Sequence, residues 1–435
     1  MAPLLVLFVT AFVDMIGLTM IVPILPYYAK NFGASASVIG LLISAFSLAQ
    51  LMVAPVWGRF SDRYGRRPAI LAGLLITAVA YLIFAFSGSV WLLLLSRIIQ
   101  GLGGGTIGVV QAYVADASLP EQRTKSLGWL SAVTSLGAVA GPAFGSAMIR
   151  VGGQSAPGIG AAILALLVGI FAWRYLRESH EIRKSGAHAA PPVTRGRSVL
   201  VAVLVGWNNP ASRLIWIYTI AIGAFYGTIQ TVSLLLQKRF AITVDQAGYF
   251  IMYLGGMGAI IRALILGPMV DRLGEARLSR LGIVILALGL GFTGTARGWP
   301  MLVAGFTLMP LGTAFIFPCV TGLLSRVIPG AERGLYMGVQ HTFGGASRVV
   351  FPIAAGILMD HFGIGVPFVV SAVLVLLTLP LTGAMASYLA PSRASQETLE
   401  VAAADITGEM SIETLTEVQP GLPDGTPGTG ATRGL

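Results

Sequence analysis

Charge is what this 435-residue chain has least of. Asp, Glu, Lys and Arg make up 11% of it, against 55% hydrophobic residues, where a soluble domain carries roughly 25% charge. A water-soluble fold cannot hide that much apolar surface, so the expected solvent is a bilayer. Cysteine is nearly absent: Cys319 stands alone, which excludes a disulfide framework and any CxxC metal site. No Lys or Arg precedes the apolar run MAPLLVLF, and no small-residue cleavage site separates it from the charged loops. That run is therefore expected to be the first span and not a removed signal peptide. The glycine cluster GLGGGT at 101–106 is not a phosphate loop, because it lies in an apolar stretch and no Lys-Ser/Thr follows it.

What is there is a series of long apolar runs. Crossing the hydrocarbon takes about 20 residues of helix. In that window the sequence predicts spans near 4–28, 37–57, 68–87, 90–113, 127–149 and 158–176, then 213–236, 246–268, 279–296, 300–324, 334–358 and 364–388. Pro23, Pro55, Pro142, Pro310 and Pro352 fall inside them, as membrane helices tolerate. The predicted fold class is an all-α membrane protein with twelve transmembrane helices in two pseudo-symmetric six-helix bundles. The first bundle takes residues 1–176 and the second 213–390. A charged, Pro-containing linker at 177–212 joins them. The acidic, Gly/Pro-rich segment at 391–435 is expected to be mostly disordered, with room for a short helix around 396–417.

The net charge of +10 is placed by topology. One side of the layout carries 17 Lys and Arg, among them Arg59, Arg63, Arg66, Arg67, Arg123, Lys125, Arg272, Arg326 and Arg333; the other carries five, Lys30, Arg150, Lys238, Arg239 and Arg297. The richer side is expected to be cytoplasmic, with both termini inside the cell. The basic balance then meets anionic lipid and not nucleic acid.

The second half repeats the first. Gly58, Asp62, Arg63 and Gly65 recur 209 residues on as Gly267, Asp271, Arg272 and Gly274, and Pro120 recurs as Pro329. Gly128 and Pro142 recur 210 on as Gly338 and Pro352. Repeats of this kind put a substrate site near the bilayer midplane between the halves and let them rock. They point to a transporter, as against a receptor or an assembly factor.

At this point the residues resemble a family. Gly58-Arg59-Phe60-Ser61-Asp62-Arg63-Tyr64-Gly65-Arg66-Arg67 is similar to the signature loop of the major facilitator superfamily, and Arg97 with Gly101, Gly103, Gly104 and Gly105 resembles its span-four motif. Gly137, Gly141, Pro142 and Gly145 resemble the span-five motif of the antiporter branch. The opening run from Val13-Asp14 to Pro26 resembles bacterial tetracycline and multidrug exporters. Two positions depart from the pattern. Ala80 stands where tetracycline exporters tend to carry an acid, and Ser146 follows Gly145 where a second glycine is usual. The resemblance implies a proton-driven exporter of small amphipathic or hydrophobic compounds such as drugs. It would work by alternating access in the cytoplasmic membrane, with no cofactor besides the proton gradient and no covalent chemistry. It is expected to act as a monomer. A metabolite importer of the same fold is the alternative. The resemblance further implies a latch on the inner side, in which Asp62 caps a neighbouring helix N-terminus and Arg66 pairs with Asp116.

The repeat extends that latch. The offset of 209 takes Asp62 to Asp271 and Arg66 to Glu275, and 210 takes Asp116 to Arg326. Acid and base have exchanged places together, so a second latch of reversed polarity is expected.

Inside the spans, acid is rarer still. Of 18 Asp and Glu, only Asp14 falls within a predicted span. A carboxyl there usually faces a cavity and marks a proton or ion path; the other reading is a fixed structural partner. By helical rise, Asp14 lies roughly 15 Å from one face and Arg97 roughly 10 Å from the other. Their heights in a 30 Å core differ by about 5 Å, within an arginine's reach. Arg348, near mid-span beside Gly344 and Gly345, can meet an anionic substrate or a helix carbonyl end. Arg262 and His341 lie nearer the cytoplasmic ends; Arg262 can snorkel, and His341 reads as a packing residue. Gln50, Gln100, Gln111, Gln230, Tyr226, Tyr253 and Gln340 either line the cavity or bond helix to helix. The fourth-residue spacing of Gly137, Gly141 and Gly145 permits close helix contact.

Overall fold

In a computed structural model, residues 3–119, 122–176, 178, 200–201, 203–206, 209–329 and 332–383 are described. Those residues form helices and no strand. Most of the 177–212 linker and the whole 391–435 segment lie outside them.

Eleven helices are long and apolar enough to cross a membrane, and Val366–Thr382 is a shorter apolar one. In the first half, α1 (Pro3–Met20) and α2 (Leu25–Asn31) are one span broken around Pro23. They are followed by α3 (Ala36–Tyr64) and α4 (Arg66–Ala85). α5 (Val90–Gly104) and α6 (Ile107–Asp116) form the fourth span, interrupted at Gly105-Thr106, and α7 (Arg123–Gly152) and α8 (Ala156–Tyr175) complete the half. The second half comprises α9 (Pro210–Phe240), α10 (Val244–Leu264), α11 (Leu266–Thr295), α12 (Trp299–Val327), α13 (Arg333–Phe362) and α14 (Val366–Leu376). The last span, expected to reach residue 388, ends its α-helix at Leu376 and passes into a 3₁₀ turn at Leu379–Thr382. Pro380 there removes a backbone donor and stops the ladder.

The repeat is visible in the backbone. Gly65 and Gly274 both take positive φ, 104° and 74°, at the loop that follows each half's second span. A Cβ would strain that turn, so both halves keep glycine there.

The main helix pairs between the halves are α3 with α13 and α7 with α10, and each is built on a glycine. A Cβ placed on Gly40 would lie 2.2 Å from the Pro352 carbonyl oxygen, and one on Gly248 would lie 1.9 Å from that of Pro142. The two prolines are 210 residues apart and the two glycines 208. The repeat has thus produced the same backbone-to-backbone seam twice. Small residues that let backbones touch are how membrane helices gain packing without a hydrophobic drive.

Candidate functional site

The glycines at fourth-residue spacing hold α7 against α1. Cβ atoms on Gly137, Gly141 and Gly145 would meet the carbonyl oxygens of Phe12, Ile16 and Met20 at 2.5, 2.7 and 2.4 Å. Pro142 lies between them and turns its carbonyl to Gly248 across the seam. The motif therefore joins the Asp14 helix to the seam between the halves. Ser146, the departure from the usual second glycine, donates to the Val244 carbonyl at 3.3 Å and accepts from the Gly248 amide at 3.0 Å. The hydroxyl replaces close approach with a hydrogen bond across the same seam.

Asp14 lines a cavity of about 590 Å³ enclosed by α1, α4, α6 and α7. Gln111, Thr106, Ser131 and Thr134 share its wall. Asp14 is half-buried because it faces this space, although protein surrounds it. Arg97 and Gln100 are buried, and Arg97 donates to the Gln100 side-chain oxygen. The Arg97 guanidinium also lies 5.8 Å from the Phe46 ring centroid. Asp14 and Arg97 make no ion pair among the described residues. What they share is Tyr81, within Coulombic reach of both and packed on Gly17, one turn from Asp14. The direct Asp14–Arg97 contact that the sequence suggests is not made; Arg97 is bonded to Gln100 instead. Gln50 donates to the Gly104 carbonyl at 3.0 Å, so it supports the break in the fourth span.

A second cavity, of about 280 Å³, lies between the halves. Thr19, Ser135 and Pro142 line it from the first half; Tyr226, Gln230 and Arg262 line it from the second. The Arg348 guanidinium sits over the Tyr226 ring, 5.3 Å from its centroid. The other polar residues proposed for the cavity lie elsewhere. Tyr253 bonds the Thr307 hydroxyl at 2.8 Å in an apolar notch between α10 and α12. Gln340 is buried and donates to the Thr321 hydroxyl at 3.2 Å. Helix-to-helix bonding absorbs both amphipathic side chains before they reach the cavity.

On the arginine-rich face, Arg66 is nearly buried and bridges Asp62 at 3.0 Å and Asp116 at 3.3 Å. In the second half Arg326 bonds Glu275 at 3.0 Å. There the acid is the buried member, 16% exposed, and the arginine is 63% exposed. Asp271 is exposed and makes no ion pair among the described residues. Glu178 was not foreseen. Its carboxylate accepts from the Arg66 and Arg67 amides at 2.9 and 3.2 Å, capping α4 where the helix dipole favours an anion. It stands in the charged 177–212 stretch, which offers no local cue to its partner.

The opposite face also holds contacts the sequence reading passed over. Arg150 pairs with Asp245 at 2.8 Å. Asp360 accepts from the Ala36 and Ser37 amides at 2.9 and 2.8 Å. Tyr27 donates to the Ile242 carbonyl at 2.9 Å. Each joins one half to the other, so this face is closed. Arg150 and Asp360 are 210 residues apart; the repeat offset, applied to span ends as well as to loops, would have found them.

A twelve-span, two-half fold with a cavity on the seam defines a membrane transporter. The family model described as "Major Facilitator Superfamily" matches residues 7–265 and 258–410, and the chain belongs to that superfamily. It is a transporter and not an enzyme. It is 30% identical to "Multidrug resistance protein 2" of Bacillus subtilis (strain 168) over 380 residues, covering 85% of this chain and 92% of that protein. It is 27% identical over 357 residues to "Tetracycline resistance protein, class B" of Escherichia coli, covering 81% and 87%. Among solved structures it is similar to "the human organic anion transporter MFSD10 (TETRAN)", with a TM-score of 0.63, 25% identity, and coverage of 87% and 98%.

Proposed function

We propose that this transporter is a proton-coupled exporter of small amphipathic or hydrophobic compounds, drugs among them, working by alternating access. The observation that carries the proposal is Asp14, an acid within an apolar span, lining a cavity beside the seam. A carboxyl at such depth persists where it moves a proton or holds a partner, and no cation pairs with it among the described residues. The resistance proteins to which the chain is similar support export of drug-like compounds. The arginine-rich face is assigned to the cytoplasm, in the inner membrane, with both termini inside and one chain as the working unit. With the opposite face closed, the cavities in this state are loaded from the cytoplasm. The Asp62–Arg66–Asp116 and Glu275–Arg326 contacts on the cytoplasmic face are made in this state, each within one half, and act as latches that weigh one state against the other when their geometry changes.

The test is uphill accumulation of dansylcadaverine in energised inverted membrane vesicles. Wild type is expected to concentrate it. Asp14→Asn is expected to reach the membrane in normal amount and let the probe equilibrate, with concentration against a gradient lost to background. Gradient-driven accumulation by the Asn variant equal to wild type would remove Asp14 from the coupling path.

A further inference from the structure

The cavity on the seam carries charge of one sign. Arg262 is on its wall. Arg348 stacks on Tyr226, itself on that wall, and Arg262 lies within Coulombic reach of the same ring. No Asp or Glu lines the cavity. Among the described residues neither arginine makes an ion pair, and the Arg348 Nε is buried without a hydrogen-bond partner. Asp14 lines the separate cavity inside the first half.

Two guanidiniums in two apolar spans, with no ion pair among the described residues, are an unsatisfied arrangement. A charge taken out of water is strongly penalised unless it is paired and hydrogen-bonded, and such residues in membranes mark substrate or ion paths. The ring of Tyr226 attracts a cation by its quadrupole but cancels no charge. Snorkelling explains Arg262 alone, since it sits near the end of α10; Arg348 is sixteen residues into α13 by number and cannot reach either face so easily. A planar fork of donors is the group that best fits a carboxylate. The rest of the wall is apolar: Val22, Val139, Phe225, Ile229, Ile251 and Leu254.

We infer that Arg262 and Tyr226 on the wall of the seam cavity, with Arg348 stacked on that ring beside it, form a subsite for the anionic group of an amphipathic organic acid, with the apolar wall taking its hydrocarbon body. The anions this subsite favours are carboxylates or sulfonates with an apolar body, because the wall beside the guanidinium and ring is apolar. The two halves then hold opposite cargo, the proton on the first and the anion on the second. The inference rests on the exporter reading above only in treating this cavity as the substrate path.

The experiment compares binding of two probes of one chromophore, dansylglycine (a carboxylate) and dansylcadaverine (a cation), to the full-length protein in nanodiscs by dansyl fluorescence. Wild type is expected to bind dansylglycine, and Arg348→Gln to weaken that binding about tenfold or more, as expected for losing a charge-assisted pair. Arg348→Lys should recover part of it, and Arg262→Gln should show a smaller loss. Affinity for dansylcadaverine should stay or rise in both Gln variants. Size-exclusion profiles matching wild type, and the Lys variant, guard against misfolding. Dansylglycine binding that is absent in wild type, or unchanged in Arg348→Gln, would overturn the subsite. Vesicle accumulation reads the other proposal separately: binding without gradient-driven transport contradicts the exporter and leaves the anion subsite supported, whereas transport of the cation with no binding of the acid contradicts only the subsite.

Discussion

At the repeat offsets of 209 and 210, Asp14 of the first half falls on Gly223 and Ala224 of the second, and Arg97 falls on Phe306 and Thr307. In the other direction Arg262 falls on Val53 and Met52, and Arg348 on Val139 and Ala138. No charge within the membrane has a counterpart of either sign. At the membrane surfaces the reverse holds. Arg66 answers to Glu275, Asp116 to Arg326 and Arg150 to Asp360, each with its sign exchanged. The seams also repeat, Gly40 on Pro352 and Gly248 on Pro142. The duplicated parts are the mechanical ones, which must work alike on both sides of a rocking pair. The parts proposed to recognise a proton or a solute differ, as expected if each is needed once.

The seam tests the mechanical half of that comparison most severely. A side chain at Gly248 has 1.9 Å before the Pro142 carbonyl, and overpacking of this kind typically costs about 1–3 kcal/mol, occasionally more. Gly248→Val is expected to reduce transport roughly 10- to 100-fold and to raise labelling of a cysteine placed at Gln154 on the far face, because that face no longer closes. Gly40→Val should do the same through Pro352. If one seam tolerated valine with full transport, the two would not be mechanical equivalents.

A smaller effect is expected at the closed face. Asp360 takes two backbone amides and the Ser37 hydroxyl, whereas Arg150–Asp245 is one exposed pair. Hydrogen bonds to a charged group are worth more than an exposed bridge even after solvent screening. Asp360→Asn should shift the gate toward open by roughly 1 kcal/mol, and Asp245→Asn by roughly 0–1 kcal/mol. Distances measured by spin labels at Asn31 and Gln237 would read both. Equal shifts would mean that the Asp360 cap adds nothing to a simple ion pair.

The smallest effect belongs to the second latch. Arg326 is 63% exposed, so Glu275–Arg326 is worth roughly 0–1 kcal/mol and can only bias an equilibrium. Charge reversal at either residue should slow transport a few-fold, and the double exchange Glu275→Arg with Arg326→Glu should restore it. A double variant no faster than the singles would make the contact incidental.

Much of this was legible in the sequence. The spans followed from apolar length, since a run of about 20 apolar residues crosses the hydrocarbon as a helix that bonds its own backbone. The Glu275–Arg326 contact followed from the repeat, because a duplicated loop keeps its geometry while a pair can exchange signs. Polar side chains inside the spans were harder to place. Gln340 and Tyr253 satisfy themselves on Thr321 and Thr307, and a glutamine or tyrosine on a helix does not announce which neighbour it will find. The Asp14–Arg97 contact is absent for a similar reason: depth along two helices can be estimated from sequence, but that Arg97 is taken up by Gln100 cannot. Glu178 lay beyond reach because a cap contributed from outside the helix has no fixed spacing to it.

Proton movement driven by the solute tests the division between the halves most directly. Wild-type protein in liposomes loaded with a pH-sensitive dye would be given a gradient of whichever dansyl probe it carries, with no pH difference imposed. The account predicts a change in luminal pH with wild type, none with Asp14→Asn, and a reduced but still proton-coupled change with Arg348→Gln. A luminal pH change in Asp14→Asn equal to that of wild type would contradict it.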